Sequence, residues 1–498
     1  MTQPSVNVTE QDGAIGVLPP SAGKLYALIG ACSSGTANTP ATYTRKKDVT
    51  AAFGVGPLVD AACHYLEHYG RPVVLVRVAD EDVTAGTHPN IEGTFDVPDT
   101  SIAGTSAVTI KATSAPLFDA EVKVVIVTGG TRGTAGITYK FSLDGGRTYS
   151  PTQALGTATD MELSGTDIVF SLGVGTLVAG DYWTCSAIGP QPNSDGIENS
   201  LAALKNSAAN WGLVHIVGNV DGDVVTVADA AMAAMAAMGK PRAWIGSSIM
   251  PTLNNDLTTQ SEASYASSMT TLAGDVRVTK HGTVCSGAVR FRSSVNGSKM
   301  RFPVAYLVGA RQASVAEHIN IADVNLGPLP GGASLTDDNG NPEQHDESVN
   351  PGLDDLGFCV LRTFEGLTGV YVNRPLLCSP EGSDFQLMPH RLVMNLAHET
   401  LRAFFLRRLS APIQVDATTG YILESTALEI EAGATAALRS ALGAAPKASA
   451  WQVVVSRTDN LLSTRTMNVT ARIVPLAYPE TIELDLGFSN PALQAIAA

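Results

Sequence analysis

The sequence predicts a multidomain α+β chain. Its parts are a mixed α/β core, an inserted all-β segment, a C-terminal α/β domain, and an extended strand arm at each terminus. Three observations predict it. Strand-like apolar runs alternate with helix-like runs over residues 21–91 and again over 191–385. Between them, residues 92–190 turn to Thr, Val, Gly and Ser, with short strand-like runs and no helical period. Residues 386–478 carry two long helical runs and a strand pair, and 479–498 hold an alternating tail.

Bulk properties narrow the function. A hydrophobic share of 44% with 16% charged residues belongs to a folded chain, and 498 residues suit roughly two to four domains. The formal net charge of −15 excludes non-specific wrapping of nucleic acid, which needs a basic surface. No basic tract and no aromatic platform with interleaved Arg occurs. No window reaches the ~18 apolar residues of a membrane span, so no direct membrane insertion is expected. The start, Met1 to Ser5, lacks the charged and apolar parts of a signal peptide, so a cytosolic site of synthesis is expected. The six cysteines, Cys32, Cys63, Cys185, Cys285, Cys359 and Cys378, form no C-x-x-C pair. Idle buried thiols are the expectation, with disulfides, including intersubunit ones, as the alternative.

Taken in order, residues 1–20 read as an arm in which Val6 and Val8 alternate with polar neighbours and Pro19-Pro20 closes the stretch. Lys24–Ile29 is a strand that runs into a glycine turn, Gly30 to Gly35. That turn lacks the Lys-Ser/Thr of a phosphate loop. Pro57–Tyr69 is a helix with Leu58, Ala61, Ala62 and Tyr65 on one face. Val73–Val78 is a strand apolar enough to be covered on both sides. In the inserted segment, strands are expected at 107–112, 121–128, 137–143, 167–172 and 181–187, with Asp144-Gly145-Gly146 as a hairpin signal. Tyr182 and Trp183 are its one adjacent aromatic pair, which leaves a surface adhesin or glycan-binding module as an alternative reading.

Beyond the insertion, helices are expected at 194–209 and 224–239, and strands at 211–217 and 242–245. Met232, Met235 and Met238 recur at helical spacing and are assigned to packing. Further strands are expected at 276–279 and 304–310, and a hairpin at 361–364 with 369–373. The loop 327–351 holds Asp337-Asp338-Asn339-Gly340 without the twelfth-position Glu of a calcium loop, so it reads as a solvated turn. Then come helices over 390–409 and 424–442, and strands over 451–457 and 464–474. In the tail, Ile482, Leu484, Leu486 and Phe488 alternate with Glu483, Asp485 and Gly487, a strand with no partner nearby in sequence. Such a strand needs another sheet, and a neighbouring copy would supply one.

Local signatures of chemistry are missing. His398-Glu399 lacks the second His of a zinc helix, because Arg402 stands there. No G-x-S-x-G elbow and no G-x-G-x-x-G between strand and helix occurs. No catalytic residue, cofactor or metal is therefore expected, although an α/β enzyme assembled from distant residues stays open. On the helix over 390–409, Arg391, Asn395, His398 and Arg402 fall on one face. That face is either solvated or an electrostatic contact for an acidic partner.

Two blocks carry a resemblance. Tyr65 to Gly70 followed by Arg71 to Val78 resembles the N-terminal block of contractile phage tail sheath proteins. Ser456–Arg465, Val469–Tyr478 and Thr481–Phe488 are similar to the sheath ending of Mu-like and related myophages. Arg407-Arg408-Leu409 resembles the Arg-Arg-Leu block of that family, displaced within its helix and without the usual Asn-x-Arg-Arg spacing.

The resemblance implies a subunit that polymerises helically around an inner tail tube. It contracts to drive the tube through a bacterial envelope. It implies a homo-oligomer of many copies, a tail tube protein as partner, and baseplate and tail terminator proteins at the ends. The site would be the virion tail, assembled in the host bacterial cytoplasm, with no nucleic acid bound. Val6, Val8, Ile482, Leu484, Leu486 and Phe488 would exchange strands between subunits. Arg391, His398, Arg402, Arg407 and Arg408 would face the tube, and residues 92–190 would protrude outward.

Overall fold

Every second residue of an extended chain points the same way, and the first strand shows both faces buried. In β1 (Leu25–Gly30), Tyr26 and Leu28 enter one apolar cluster while Ala27 and Ile29 enter another. The structure, a computed structural model, describes residues 24–87, 104–253, 257–337, 339–443 and 445–488. Val6 and Val8 lie outside the described residues. The chain divides into two compact units, Met1–Ala411 and Pro412–Ala498.

The first unit opens with β1, β2 (Ala41–Tyr43), α1 (Lys46–Phe53), α2 (Pro57–Tyr69) and β3 (Val73–Arg77). α2 starts on Pro57, whose missing N–H costs nothing there, and stops at Gly70 in the left-handed region (φ 60°). The β-rich segment follows: β4 (Val108–Ile110), β5 (Ala120–Thr128), β6 (Thr138–Ser142), β7 (Gln153–Ala154), β8 (Asp160–Leu163), β9 (Ile168–Leu172) and β10 (Tyr182–Ala187). It makes a four-stranded sheet in the order β10-β5-β6-β7 and a three-stranded one in the order β8-β9-β4. The Asp144 turn joins β6 to β7. The Asp144 carboxylate organises it by accepting from Ser142 Oγ (2.6 Å), Thr148 N (2.8 Å) and Thr148 Oγ1 (2.6 Å).

The α/β pattern then resumes with α3 (Ser194–Asn206), β11 (Trp211–Asn219), α4 (Gly222–Ala237), β12 (Ala243–Ser247), α5 (Glu262–Val276) and β13 (Gly282–Cys285). Asn193, Asp221 and Ser261 cap the three helices by accepting backbone N–H groups. The strands join one six-stranded sheet in the order β13-β12-β11-β1-β3-β2, parallel except for β2 at the edge. α3, α4 and α5 cover one face through Leu201, Met232 and Tyr265. The hairpin β14 (Ala288–Arg292) with β15 (Lys299–Pro303) leads into α6 (Ala305–Ser314), which covers the other face together with α2. Gly309 lets α6 approach, since a Cβ there would lie 2.4 Å from the Tyr26 hydroxyl. The expected hairpin at 361–373 forms as β16 (Leu361–Arg362) with β17 (Tyr371–Val372), and α7 (Met388–Leu406) ends the unit.

Three expectations give way. Residues 304–310 form α6, not a strand; the run is apolar all round because the helix is buried on nearly every side. Residues 276–279 are not a strand either, since Val276 ends α5 and β13 starts at Gly282. Met238 does not pack like Met232 and Met235, because α4 has ended and its side chain is half exposed.

Two charge clusters tie distant segments together. Arg290 on β14 holds both Glu121 carboxylate oxygens (2.5 and 2.6 Å) and Glu343 (2.5 Å), and Arg147 reaches Glu343 at 3.0 Å. Arg290 and Glu121 are almost fully buried, at 2% and 4% side-chain exposure. In the loop over 327–351, His345 sits between Glu262 and Glu347, 2.8 Å from each. Burial alone would lower its pKa, but the two carboxylates raise it to about 9.

Pro412–Ala498 holds α8 (Glu424–Leu442), β18 (Ala450–Val455), the short α9 (Leu461–Thr464) and β19 (Val469–Val474). Ala427, Ile430, Ala434, Leu438 and Leu442 make one buried stripe along α8, facing Val453 and Val455 of β18.

Replacing Glu121 by Gln should destabilise the first unit by about 3 kcal/mol, because it leaves part of a buried cation uncompensated. Urea unfolding followed by tryptophan fluorescence would measure it; an unchanged midpoint would contradict the bridge. His345 has a folded pKa above its unfolded value near 6.5, so its stabilisation is complete below about pH 6.5 and disappears as pH rises through about 9. H345Q should therefore lower the melting temperature at pH 6 and match wild type above pH 9.5. A gap independent of pH would contradict that.

Candidate intersubunit surfaces

The alternating tail is the most exposed apolar stretch described. Ile482 is 81% exposed, Leu484 81%, Leu486 88% and Phe488 110%, and the charged neighbours Glu483 and Asp485 are exposed as well. Residues 481–488 enter no strand pairing among the described residues. The strand expected over 482–488 is not formed in the structure, and its four apolar side chains are bare to solvent.

The same unit carries an open sheet. β18 and β19 pair antiparallel from Ala450↔Val474 to Val455↔Val469, and among the described residues no third strand joins them. β19 buries none of its six residues. An isolated hairpin is marginal in water, and this one relies on α8 beneath β18. Arg457, just past β18, fastens it there. Its guanidinium donates to Glu424 Oε2 (2.9 Å) and Glu424 Oε1 (3.0 Å), to Glu431, and to the Val455 carbonyl (2.6 Å). Glu431 also accepts the Val455 N–H at 2.7 Å.

The five residues expected to face a tube, three on α7 and two just past its end, have different surroundings. Arg391 points inward and is 8% exposed. Its Nε and Nη2 donate to Asn395 Oδ1 at 2.9 and 2.6 Å, and its guanidinium lies 5.1 Å from the Phe385 ring centre. Burial lowers its pKa. Asn395 is buried too, so this part of the polar face turns into the fold. His398 is exposed, and burial followed by the charge of Arg391 lowers its pKa. Arg402 is exposed while its stem crosses Gly239, where an added Cβ would lie 1.9 Å from Arg402 Cδ. Arg407 caps the helix in solvent, and Arg408 lies over the Phe404 ring at 4.9 Å.

Sequence reasoning passed over Glu399, which anchors α7: it pairs with Arg242 at 2.5 Å and Lys24 at 2.9 Å. Its only signal was a position one residue past His398, where a search for zinc ligands had no use for it. On the C-terminal turn and just beyond, Leu406 and Leu409 are 49% and 76% exposed beside the arginines. The surface offered there is mixed, apolar and cationic.

Among the described residues, no group of three or more His, Cys, Asp or Glu is placed to hold a metal, and no helix is long and apolar enough to cross a membrane. The six cysteines are buried and free.

In protease digestion of the free protein, chymotrypsin should cut between Leu484 and Phe488 before any site in the parallel sheet, as mass spectrometry of a time course would show. First cuts elsewhere would mean that the tail is covered.

Comparison with known proteins adds the following. The family model described as DUF2586, N-terminal domain, matches residues 3–374, a stretch that ends before α7. No curated protein matches the chain. Among solved structures, a sheath tail protein of Listeria innocua is similar at 15% identity and a TM-score of 0.44, covering 92% of this chain and 97% of that one. A sheath tail protein of Desulfitobacterium hafniense is similar at 11% identity and a TM-score of 0.45, covering 95% and 100%. A chain of the anti-feeding prophage baseplate is similar at 10% identity and a TM-score of 0.48, covering 98% and 100%.

Proposed function

The chain belongs to the family described as DUF2586, N-terminal domain, and from that premise we propose that it is a structural subunit of a contractile tail sheath. One observation carries the reading: the bare alternating tail, Ile482–Phe488, occurs in a unit whose two-stranded sheet has free edges among the described residues. A tail from one copy added to the sheet of the next would pair its backbone and cover its apolar face. Repeated from copy to copy, that contact is head-to-tail and gives a helical array. The sequence blocks 65–78 and 456–488 support the same reading through their resemblance to sheath proteins.

In this reading residues 1–20, with Val6 and Val8, and 479–498 are arms. Residues 21–91 and 191–385 form the α/β middle domain, 92–190 the protruding part, and 386–478 the tube-facing domain. His398, Arg402, Arg407 and Arg408 are the tube-facing candidates that solvent reaches. Arg391 acts on the same helix from inside, by fixing its orientation. Sheath contraction drives the tube through the bacterial envelope during genome delivery, with tube, baseplate and terminator proteins as partners. It needs no bound nucleotide, because the arms keep subunits joined while each rotates as a body about arm hinges.

Negative-stain microscopy of the full chain, alone and with its cognate tube, should show sleeves. A chain ending at residue 478 should not assemble, and L484D/L486D should assemble poorly. Sleeves from the truncated chain would remove the tail from the mechanism. Monomers under every condition, tube included, would overturn the sheath reading.

A further inference from the structure

The parallel sheet has a switch point. From β1 the chain crosses to β3 on one side, while β11, β12 and β13 extend the sheet on the other. Connections diverge there and leave a crevice outside the carboxyl ends of the strands, the place where open α/β sheets take ligands. Here the β-rich segment roofs the crevice. A cavity of about 70 Å³ results. Its walls come from Gly218 and Asn219 at the end of β11, the turn after β12, Pro57 at the start of α2, and roof residues around Asp119 and Ser186. That is room for about five water positions, or for a small organic molecule.

The walls specify what fits. Most of the lining is apolar, with Ile188, Ile249, Met250 and Leu253 contributing. Arg301, 8% exposed, also lines it. The guanidinium donates to neutral acceptors, Gln344 Oε1 at 3.0 Å and the Pro251 carbonyl. Among the described residues no carboxylate lies within ion-pair distance of Arg301. Glu121, whose charge acts on Arg301, is already held by Arg290 through both oxygens. Burial accordingly pulls the Arg301 pKa down to about 10. A second wall residue, Ser186, is 4% exposed, and its hydroxyl has no partner among the described residues. A buried cation with only neutral acceptors favours an anion, and an unused hydroxyl offers it a further hydrogen bond.

The charge of that anion is limited as well. Asp119 shares the wall, accepting the Gly189 N–H at 2.7 Å, and Glu121 stands beside it. A dianion such as phosphate would meet two carboxylates against one available guanidinium. A single negative charge suits the site better.

We propose that this cavity binds a small monocarboxylate with a compact apolar body, its carboxylate against Arg301 and its body among Ile188, Ile249 and Met250. This inference is independent of polymerisation. It gives the chain a ligand site beneath the β-rich roof, where occupancy bears on how that segment is held.

The test uses the full-length protein with 3-methylbutanoate and benzoate as probes, and the matching uncharged amides as controls. Saturation-transfer NMR and thermal shift should both show saturable binding of the carboxylates, with the amides at least about tenfold weaker. R301Q should abolish the preference for carboxylate. I249W should block binding without changing any charge; Ile249 is 46% exposed, so the larger ring is tolerated by the fold. Circular dichroism verifies that each variant is folded, and if R301Q is not, S186A replaces it with a loss of at least threefold expected. Amides binding as well as acids, carboxylate binding untouched by I249W, or no saturable binding at all would each overturn the proposal.

Discussion

A guanidinium buried between two carboxylates holds the larger unit together. Arg290 is on the hairpin that precedes α6, Glu121 is on the first long strand of the β-rich segment, and Glu343 comes from a loop further on. Taking such charges out of water costs several kcal/mol each, and mutual attraction repays it only when geometry is close to ideal. The fork on Glu121 meets that condition, and it fixes the angle at which the inserted strands meet the α/β core. Apolar packing follows the same line: Val122, Phe141 and Trp183 belong to one continuous cluster with Phe291, Phe302 and Tyr306.

The second unit is built on other terms. Its buried apolar surface is one stripe of α8 against a hairpin whose outer strand buries nothing. Arg457 holds hairpin to helix through the exposed Glu424 and the largely covered Glu431, and an exposed pair such as that with Glu424 contributes at most ~1 kcal/mol. Such a unit gains from every strand added to it, whereas the first unit has its sheet already covered on both faces.

The division between what the sequence disclosed and what it hid follows the range of the interactions. β1, α2, β3 and α8 were legible because each announces itself locally: two-sided apolar runs, Pro at a helix start, Gly at its end, a four-residue apolar period. α5 was missed because its buried face is spread over Tyr265, Met269, Ala273 and Val276 among Ser and Thr. α6 read as a strand because a helix buried all round has no polar side to betray its period. The tail's apolar alternation was plain in the sequence, but the strand expected there is not formed among the described residues. Arg391 was placed on the outer face because helical geometry fixes which residues share a face but not which way the face turns. The acceptor that turns it inward, Asn395, lay on that same face. The cavity at the switch point could not be read at all, since Asp119, Ser186, Asn219, Ile249 and Arg301 meet only in space.

Magnitudes decide what kind of joint the tail can make. Burying four apolar side chains yields roughly 6–12 kcal/mol at ~1.5–3 each. Ordering the seven residues from Ile482 to Phe488 costs roughly 7–14 kcal/mol at ~1–2 each. These nearly cancel, so the balance is left to the ladder hydrogen bonds, at ~0.5–1.5 kcal/mol net for each. A single joint is therefore worth a few kcal/mol and would open readily between two isolated copies. In the proposed array each copy would give one tail and receive another, and release would require both joints to open together. In the proposed sheath, a strand of such marginal value would let free subunits stay separate and an assembled lattice stay joined.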